Sequence, residues 1–199
     1  MKKSQSKTRA KKIVEPEEME DHGNTHGHDH GDGECCDHDH GADCEFELAI
    51  RTYTPQDYRE LKAIWKAGEI ITDETDSAKA LKENIEKRPN GFQVFVAEIL
   101  AVDPKTGKPS GARSLAGGVI VTFDGHRAYI YHFAVHPDFR GVGLGGALIE
   151  TCEHQARLWG AKHLRLMSRT DPAREGARRL YEKSGWKTEP ALIQMKKDL

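Results

Sequence analysis

The first 45 residues carry almost no apolar side chains, which confines any folded core to the chain from Phe46 onward. A segment that buries so little cannot offset the entropy of ordering its backbone. Residues 1–45 are therefore expected to be a disordered tail, and residues 46–199 a single folded domain. The tail is segregated by charge: Lys2, Lys3, Lys7, Arg9, Lys11 and Lys12 open it, while Glu15 to Glu47 is overwhelmingly acidic or histidine. A formal net charge of −2 over 199 residues conceals that division, and no basic stripe suited to nucleic acid emerges. The basic start lacks the apolar segment of a secretory signal, and no run is long enough to span a bilayer. A cytoplasmic protein with neither a membrane nor a nucleic-acid partner is expected, and its oligomeric state is not written in the pattern.

From Phe46 the texture changes. Phe46, Leu48 and Ile50 alternate with polar residues as in a half-buried strand. Thr54, Pro55 and Asp57 read as N-cap, first-turn proline and N3 acid of a helix that carries Tyr58, Leu61, Ile64 and Trp65 inward and stops at Gly68. A second helix spans about 77–87. QVFVAEIL from Gln93, LAGGVIVTF from Leu115 and AYIYHFAV from Ala128 read as three antiparallel strands, joined by the polar stretch DPKTGKPSG and the turn DGH. Leu144, Leu148, Cys152, Ala156 and Trp159 then recur at helical spacing until Gly160. HLRLM is a further strand, and Asp171-Pro172 starts a helix whose Ala177, Leu180 and Tyr181 face inward until Gly185. ALIQM closes the chain as a last strand. The order βααβββαβαβ is an α/β class without internal repeats.

Between the third of those central strands and the long helix lies FRGVGLGGAL, with Gly141, Gly143 and Gly146 spaced G-x-G-x-x-G. Glycines there let backbone N–H groups turn toward an anion at a helix N-terminus. A dinucleotide fold needs its glycines directly after the first strand and an acid at the end of the next. Here His136 to Arg140 intervene, the next strand ends at Met167, Ser168 and Arg169, and too little chain remains for further βαβ units. An NADP site through Arg169 is the remaining dinucleotide alternative. A Walker A loop is excluded, because Ala147 follows Gly146.

The stretch AVHPDFRG from Ala134 to Gly141, the R-x-x-G-x-G of Arg140, Gly143 and Gly145, and ARRLYEKSGW from Ala177 to Trp186 together resemble the GNAT acyltransferases, which use acetyl-CoA. The resemblance covers 46–199 and implies a mixed, mostly antiparallel central sheet flanked by helices. It implies that backbone N–H groups of Arg140, Gly141, Val142, Gly143, Leu144, Gly145 and Gly146 cradle the CoA pyrophosphate. Phe133, Ala134 and Val135 would supply the strand end that pairs with the pantetheine amides, where the family's sheet splays from HLRLM. Tyr181 matches the tyrosine that protonates the departing thiolate, a role suited to a phenol that keeps its proton at neutral pH. Acetyl-CoA and an amine acceptor are thus the implied partners, and the activity is an N-acetyltransferase reaction by direct attack. Many relatives carry a glutamate base on one of the splayed strands, where this chain offers only Tyr129, Tyr131, His132 and Met167. His132 is the candidate base, although strict alternation puts it on the face opposite Tyr129, Tyr131 and Phe133. Arg174 stands where many relatives have an asparagine contacting the cofactor, and an arginine there could reach a CoA phosphate.

A second function class comes from the tail. His22, His26, His28, His30, Cys35, Cys36, His38, His40 and Cys44 are interleaved with Asp and Gly, a soft donor set for zinc or nickel on a chain able to wrap an ion. It lacks the fixed spacing of a structural zinc module. A metal-buffering or metal-sensing protein on a GNAT scaffold is therefore the alternative to the enzyme. Cys152 stands alone at a helical core position and the cysteines form no disulfide framework.

Overall fold

The computed structural model describes Lys12–Ile13, residues 46–190 apart from 71, 104–105 and 107–108, and residue 197. The strands are β1 (Lys12–Ile13), β2 (Phe46–Thr52), β3 (Phe92–Val102), β4 (Pro109–Phe123), β5 (Ala128–Val135) and β6 (Leu164–Leu166). They lie side by side in chain order. Neighbours from β2 through β5 are antiparallel, while the outer pairs, β1 with β2 and β5 with β6, are parallel. The helices α1 (Tyr58–Ala67), α2 (Ala78–Lys87), α3 (Leu144–Leu158) and α4 (Glu175–Lys183) follow in the expected order from β2 onward, whereas β1 falls in the tail, where no strand is expected. The expected closing strand, 191–195, lies outside the described residues, as does nearly all of the tail.

The helix-start signals fall where helical winding begins, but those at Pro55 and Pro172 open 3-10 turns, and the α-helices themselves begin at Tyr58 and Glu175. Pro55–Asp57 form a 3-10 turn before α1, and the Asp57 carboxylate accepts from both the N–H and the hydroxyl of Thr54. Ser77 caps α2 by accepting from the N–H of Ala80 at 3.2 Å. The turn between β3 and β4 is shorter than the polar stretch suggested. The ladder runs on through Leu100↔Arg113 to Val102↔Pro109, with irregular register, so β4 starts at Pro109 and not at Leu115. Cross-strand pairing overrides the local turn signal there.

The sheet separates two cores. On one face Phe95, Ala97, Val119, Val121 and Ile130 pack against Leu144, Leu148 and Cys152 of α3. On the other, Val94, Val96, Ile120 and Ala134 pack against Leu61, Ile64 and Trp65 of α1 and Leu81 of α2. Each fully buried large side chain contributes about 1.5–3 kcal/mol, so these two layers carry most of the driving force. Burial also pushes the Cys152 thiol well above its ordinary range, which makes it an inert core residue.

One charged network is built into the face nearer α1. The Arg51 guanidinium holds both oxygens of Asp57 at 2.7 Å and reaches Glu98 at 2.6 Å. The Glu98 side chain is only 7% exposed, so it depends on that arginine and on the more distant Arg113. Burial pulls the Asp57 carboxyl upward, but the bonds from Arg51 and Thr54 outweigh it and hold the group below the usual carboxylate range.

Candidate active site

β5 pairs with β6 only over Ala128↔Leu164, Tyr129↔Arg165 and Ile130↔Leu166. Beyond Ile130 the two strands part, and among the described residues no strand pairs with that edge of β5 as far as Val135. The N–H of His136 donates to the carbonyl of Ala116 in β4 at 2.8 Å, so the main-chain groups of Val135, one residue earlier, point the other way, into the opening. Arg140 folds back over this edge, its Nε donating to the Val135 carbonyl at 3.3 Å. The strand end is thus an extended, half-satisfied template facing a cleft.

The glycine loop stands at the same end. Gly141 and Gly143 have φ of 85° and 95°, in the left-handed region, and Gly143 caps α3. At this end the N–H of Ala147 donates to the carbonyl of Gly143, at 3.1 Å. The preceding N–H groups, Leu144, Gly145 and Gly146, have no partner within the helix and add their partial positive charge to the loop. A methyl group added at Gly141, Gly143 or Gly146 would meet no atom within 4 Å, so these faces are open to an approaching group. Gly145 differs: its added Cβ would lie 2.7 Å from Leu180 and 3.6 Å from Phe133, so this glycine serves the packing of α4 on α3.

That packing carries Tyr181 to the cleft wall. Its ring lies 5.8 Å from Phe133 and 5.9 Å from Trp186, centroid to centroid. Burial pushes the phenol up to about 12, so it holds its proton across the physiological range. Phe133 thus lies between Gly145 and Tyr181, and Arg140 lies on Val135, so the strand end, the glycine loop and Tyr181 stand at the same end of β5. Tyr131 and Met167, 38% and 58% exposed, stand on the two strands where they part.

His132 departs from expectation. Between Gly118↔Ala134 and Ile120↔Tyr131, β4 has one residue and β5 has two, so His132 and Phe133 form a bulge, with His132 at φ 51°. The extra residue breaks the alternation. Tyr131, paired with Ile120, faces α1; His132 faces α1 as well; Phe133 returns to the α3 side. His132 is thus opposite Phe133 as expected but shares a face with Tyr131, which strict alternation denied. Its ring meets Trp65 edge-on at 4.9 Å, and its Nε2 lies 3.1 Å from a carboxylate oxygen of Asp76. The carboxylate that neither splayed strand supplies arrives here from the turn before α2. Nothing local marked Asp76, whose position reads as helix-entry chemistry and whose partner is far away in the chain.

Arg174 is also corrected. Its Nη1 donates to the carbonyl of Gly68 at 2.7 Å and its Nη2 to that of Glu69 at 3.3 Å, so it caps the C-terminus of α1 and is not directed at a phosphate. Arg169 is ion-paired with Asp171 at 2.8 Å. Among the described residues no cluster of three or more His, Cys, Asp or Glu is placed to hold a metal ion, and no helix is long and apolar enough to cross a membrane. His22, His26, His28, His30, Cys35, Cys36, His38, His40 and Cys44 all lie outside the described residues.

Known proteins share this architecture. An acetyltransferase of Yersinia enterocolitica is 29% identical over 146 residues, covering 73% of this chain and 92% of its own length. A glucosamine-6-phosphate N-acetyltransferase from Arabidopsis thaliana superposes with a TM-score of 0.54 at 18% identity, over 76% of this chain and 97% of that one. A predicted acetyltransferase from Clostridium acetobutylicum, solved with acetyl-CoA, superposes with a TM-score of 0.53 at 16% identity, over 75% and 96%. These structural likenesses establish the fold. The family model of the acetyltransferase (GNAT) family matches residues 58–186, and the chain therefore belongs to the GNAT acetyltransferase family.

Proposed function

We propose that the protein transfers the acetyl group of acetyl-CoA to an amine by direct attack. The observation that carries this reading is the coincidence, at one end of β5, of a parted strand edge, an open left-handed glycine loop and a half-buried, protonated tyrosine. The loop and the start of α3 would take the pyrophosphate through backbone N–H groups and the helix dipole. The free main chain of β5 would pair with the pantetheine arm as an added strand. The amine nitrogen bonds to the thioester carbonyl carbon, the carbon–sulfur bond breaks, and the departing thiolate takes the proton of Tyr181. His132 accepts the proton that the amine sheds. The His132 imidazolium loses its proton to solvent, the Tyr181 phenolate regains one, and the amide and free CoA leave.

The test is release of CoA thiol from acetyl-CoA against a panel of amines: an amino sugar phosphate, a polyamine, free lysine and a peptide with an N-terminal alanine. Calorimetric titration with acetyl-CoA accompanies it. Binding and thiol release in the wild type, with both lost in Gly143→Glu, support the proposal, since that side chain would block and repel the pyrophosphate. Acetyl-CoA binding that survives Gly143→Glu would refute the placement of the cofactor.

A further inference from the structure

Resting on the reading of His132 as the base, we infer that Asp76 is a positioning residue that fixes the tautomer and orientation of the His132 imidazole. The two belong to separate parts of the fold, the turn before α2 and the bulge in β5, and both are inside: Asp76 is 8% exposed and the His132 side chain 17%. Of the two ring nitrogens, only Nε2 is both buried and without a hydrogen-bond partner. The Asp76 oxygen stands 3.1 Å from it, at contact distance although out of line, so a small turn of the ring completes the bond. A carboxylate at that distance favours the tautomer that carries its proton on Nε2. In that tautomer the lone pair is on Nδ1, the atom that would act as the base.

Two further features hold the ring to this task. Trp65, fully buried, presses edge-on against the imidazole and limits its rotation. The backbone at His132 is in the left-handed region, which a side chain other than glycine adopts only under strain, and such strain is retained where the surroundings enforce it. Asp76 is anchored in turn: the oxygen that faces the imidazole also accepts from the N–H of Asp73 at 2.9 Å. The carboxylate is therefore placed by the helix entry before it meets the histidine.

The experiment has two parts. Nitrogen NMR of the free protein, with the His132 signals assigned by their loss in His132→Gln, should show Nε2 protonated and Nδ1 bare in the wild type, and a mixed or reversed tautomer in Asp76→Asn. Asparagine can still accept from Asp73, so the cap survives. A wild-type His132 protonated on Nδ1 alone would overturn the proposal. In the second part, kcat is measured with acetyl-CoA and the panel amine that turns over fastest, for Asp76→Asn, His132→Gln and the double variant. Asp76→Asn should lower kcat roughly tenfold or more, His132→Gln about a hundredfold, and the double variant no further than His132→Gln alone. Equal loss from Asp76→Asn in both backgrounds shows a structural role and overturns the proposal. An unchanged kcat in His132→Gln, with acetyl-CoA still consumed, removes the base itself while leaving the acetyltransferase reading intact.

Discussion

Tyr181→Phe separates chemistry from packing, because the structure gives both effects a size. The folded phenol is pushed up to about 12 by burial, whereas an unfolded tyrosine ionises near about 10. A group whose folded value is raised contributes fully below the unfolded value and loses that contribution as pH rises through the folded one. At about pH 11 the unfolded chain has released this proton and the folded chain has not, which favours unfolding by about 1 kcal/mol relative to neutral pH. Phenylalanine has no proton to release. Urea unfolding at about pH 8 and about pH 11 should therefore show the wild type losing about 1 kcal/mol more than Tyr181→Phe. Every other group titrating in that window cancels in the comparison. At neutral pH the variant should bind acetyl-CoA as before and turn over about a hundredfold more slowly, the usual scale of a lost general acid. Equal turnover would remove the tyrosine from the mechanism, and equal stability loss at high pH would refute its burial at the cleft wall.

Other consequences can be checked on the same material. Gly143→Ala meets no atom but must hold φ near 95°, so it should cost about 1–2 kcal/mol in urea melts and weaken acetyl-CoA binding in calorimetry. Arg51→Ala leaves the buried Glu98 with only the distant Arg113 and should destabilise the fold by about 3 kcal/mol, read as a shift in urea midpoint. The Asp57 part of that network is present above the ordinary carboxylate range and lost as pH falls through the depressed folded value, so the variant's deficit should shrink in acid. Arg174→Ala frees the Gly68 and Glu69 carbonyls just past the end of α1 and should cost about 2 kcal/mol, read in urea melts, while acetyl-CoA affinity stays.

What could be read from the sequence was set by local periodicity and by glycine. The helix starts at Thr54 and Ser77, the inward face of α3 and the loop from Arg140 to Gly146 all follow from neighbours within a few residues. The errors share a cause, which is dependence on partners far away in the chain. Alternation assumes two residues per repeat, and the bulge at His132 is defined only by counting against β4. Asp76 and Arg174 look like ordinary helix-entry residues until tertiary contact brings one to the bulge and the other to the end of α1. The start of β4 at Pro109 was hidden in the same way, because its partner Val102 decides it.

The extra residue in β5 also has a meaning for how such a cleft could arise. Without His132 the ladder would run Ile120↔Tyr131, Val119↔Phe133, Gly118↔Ala134, with every neighbour already on its proper face. The bulge is therefore equivalent to one inserted codon in an otherwise ordinary strand. It begins two residues past the last β5–β6 pair, Ile130↔Leu166, where the bend of a bulged strand would turn β5 away from its parallel neighbour. The one inserted residue thus sits beside the parted edge and supplies the imidazole next to it. Trimming that codon back should leave a foldable sheet, zipped further along β6, with neither a groove nor a base.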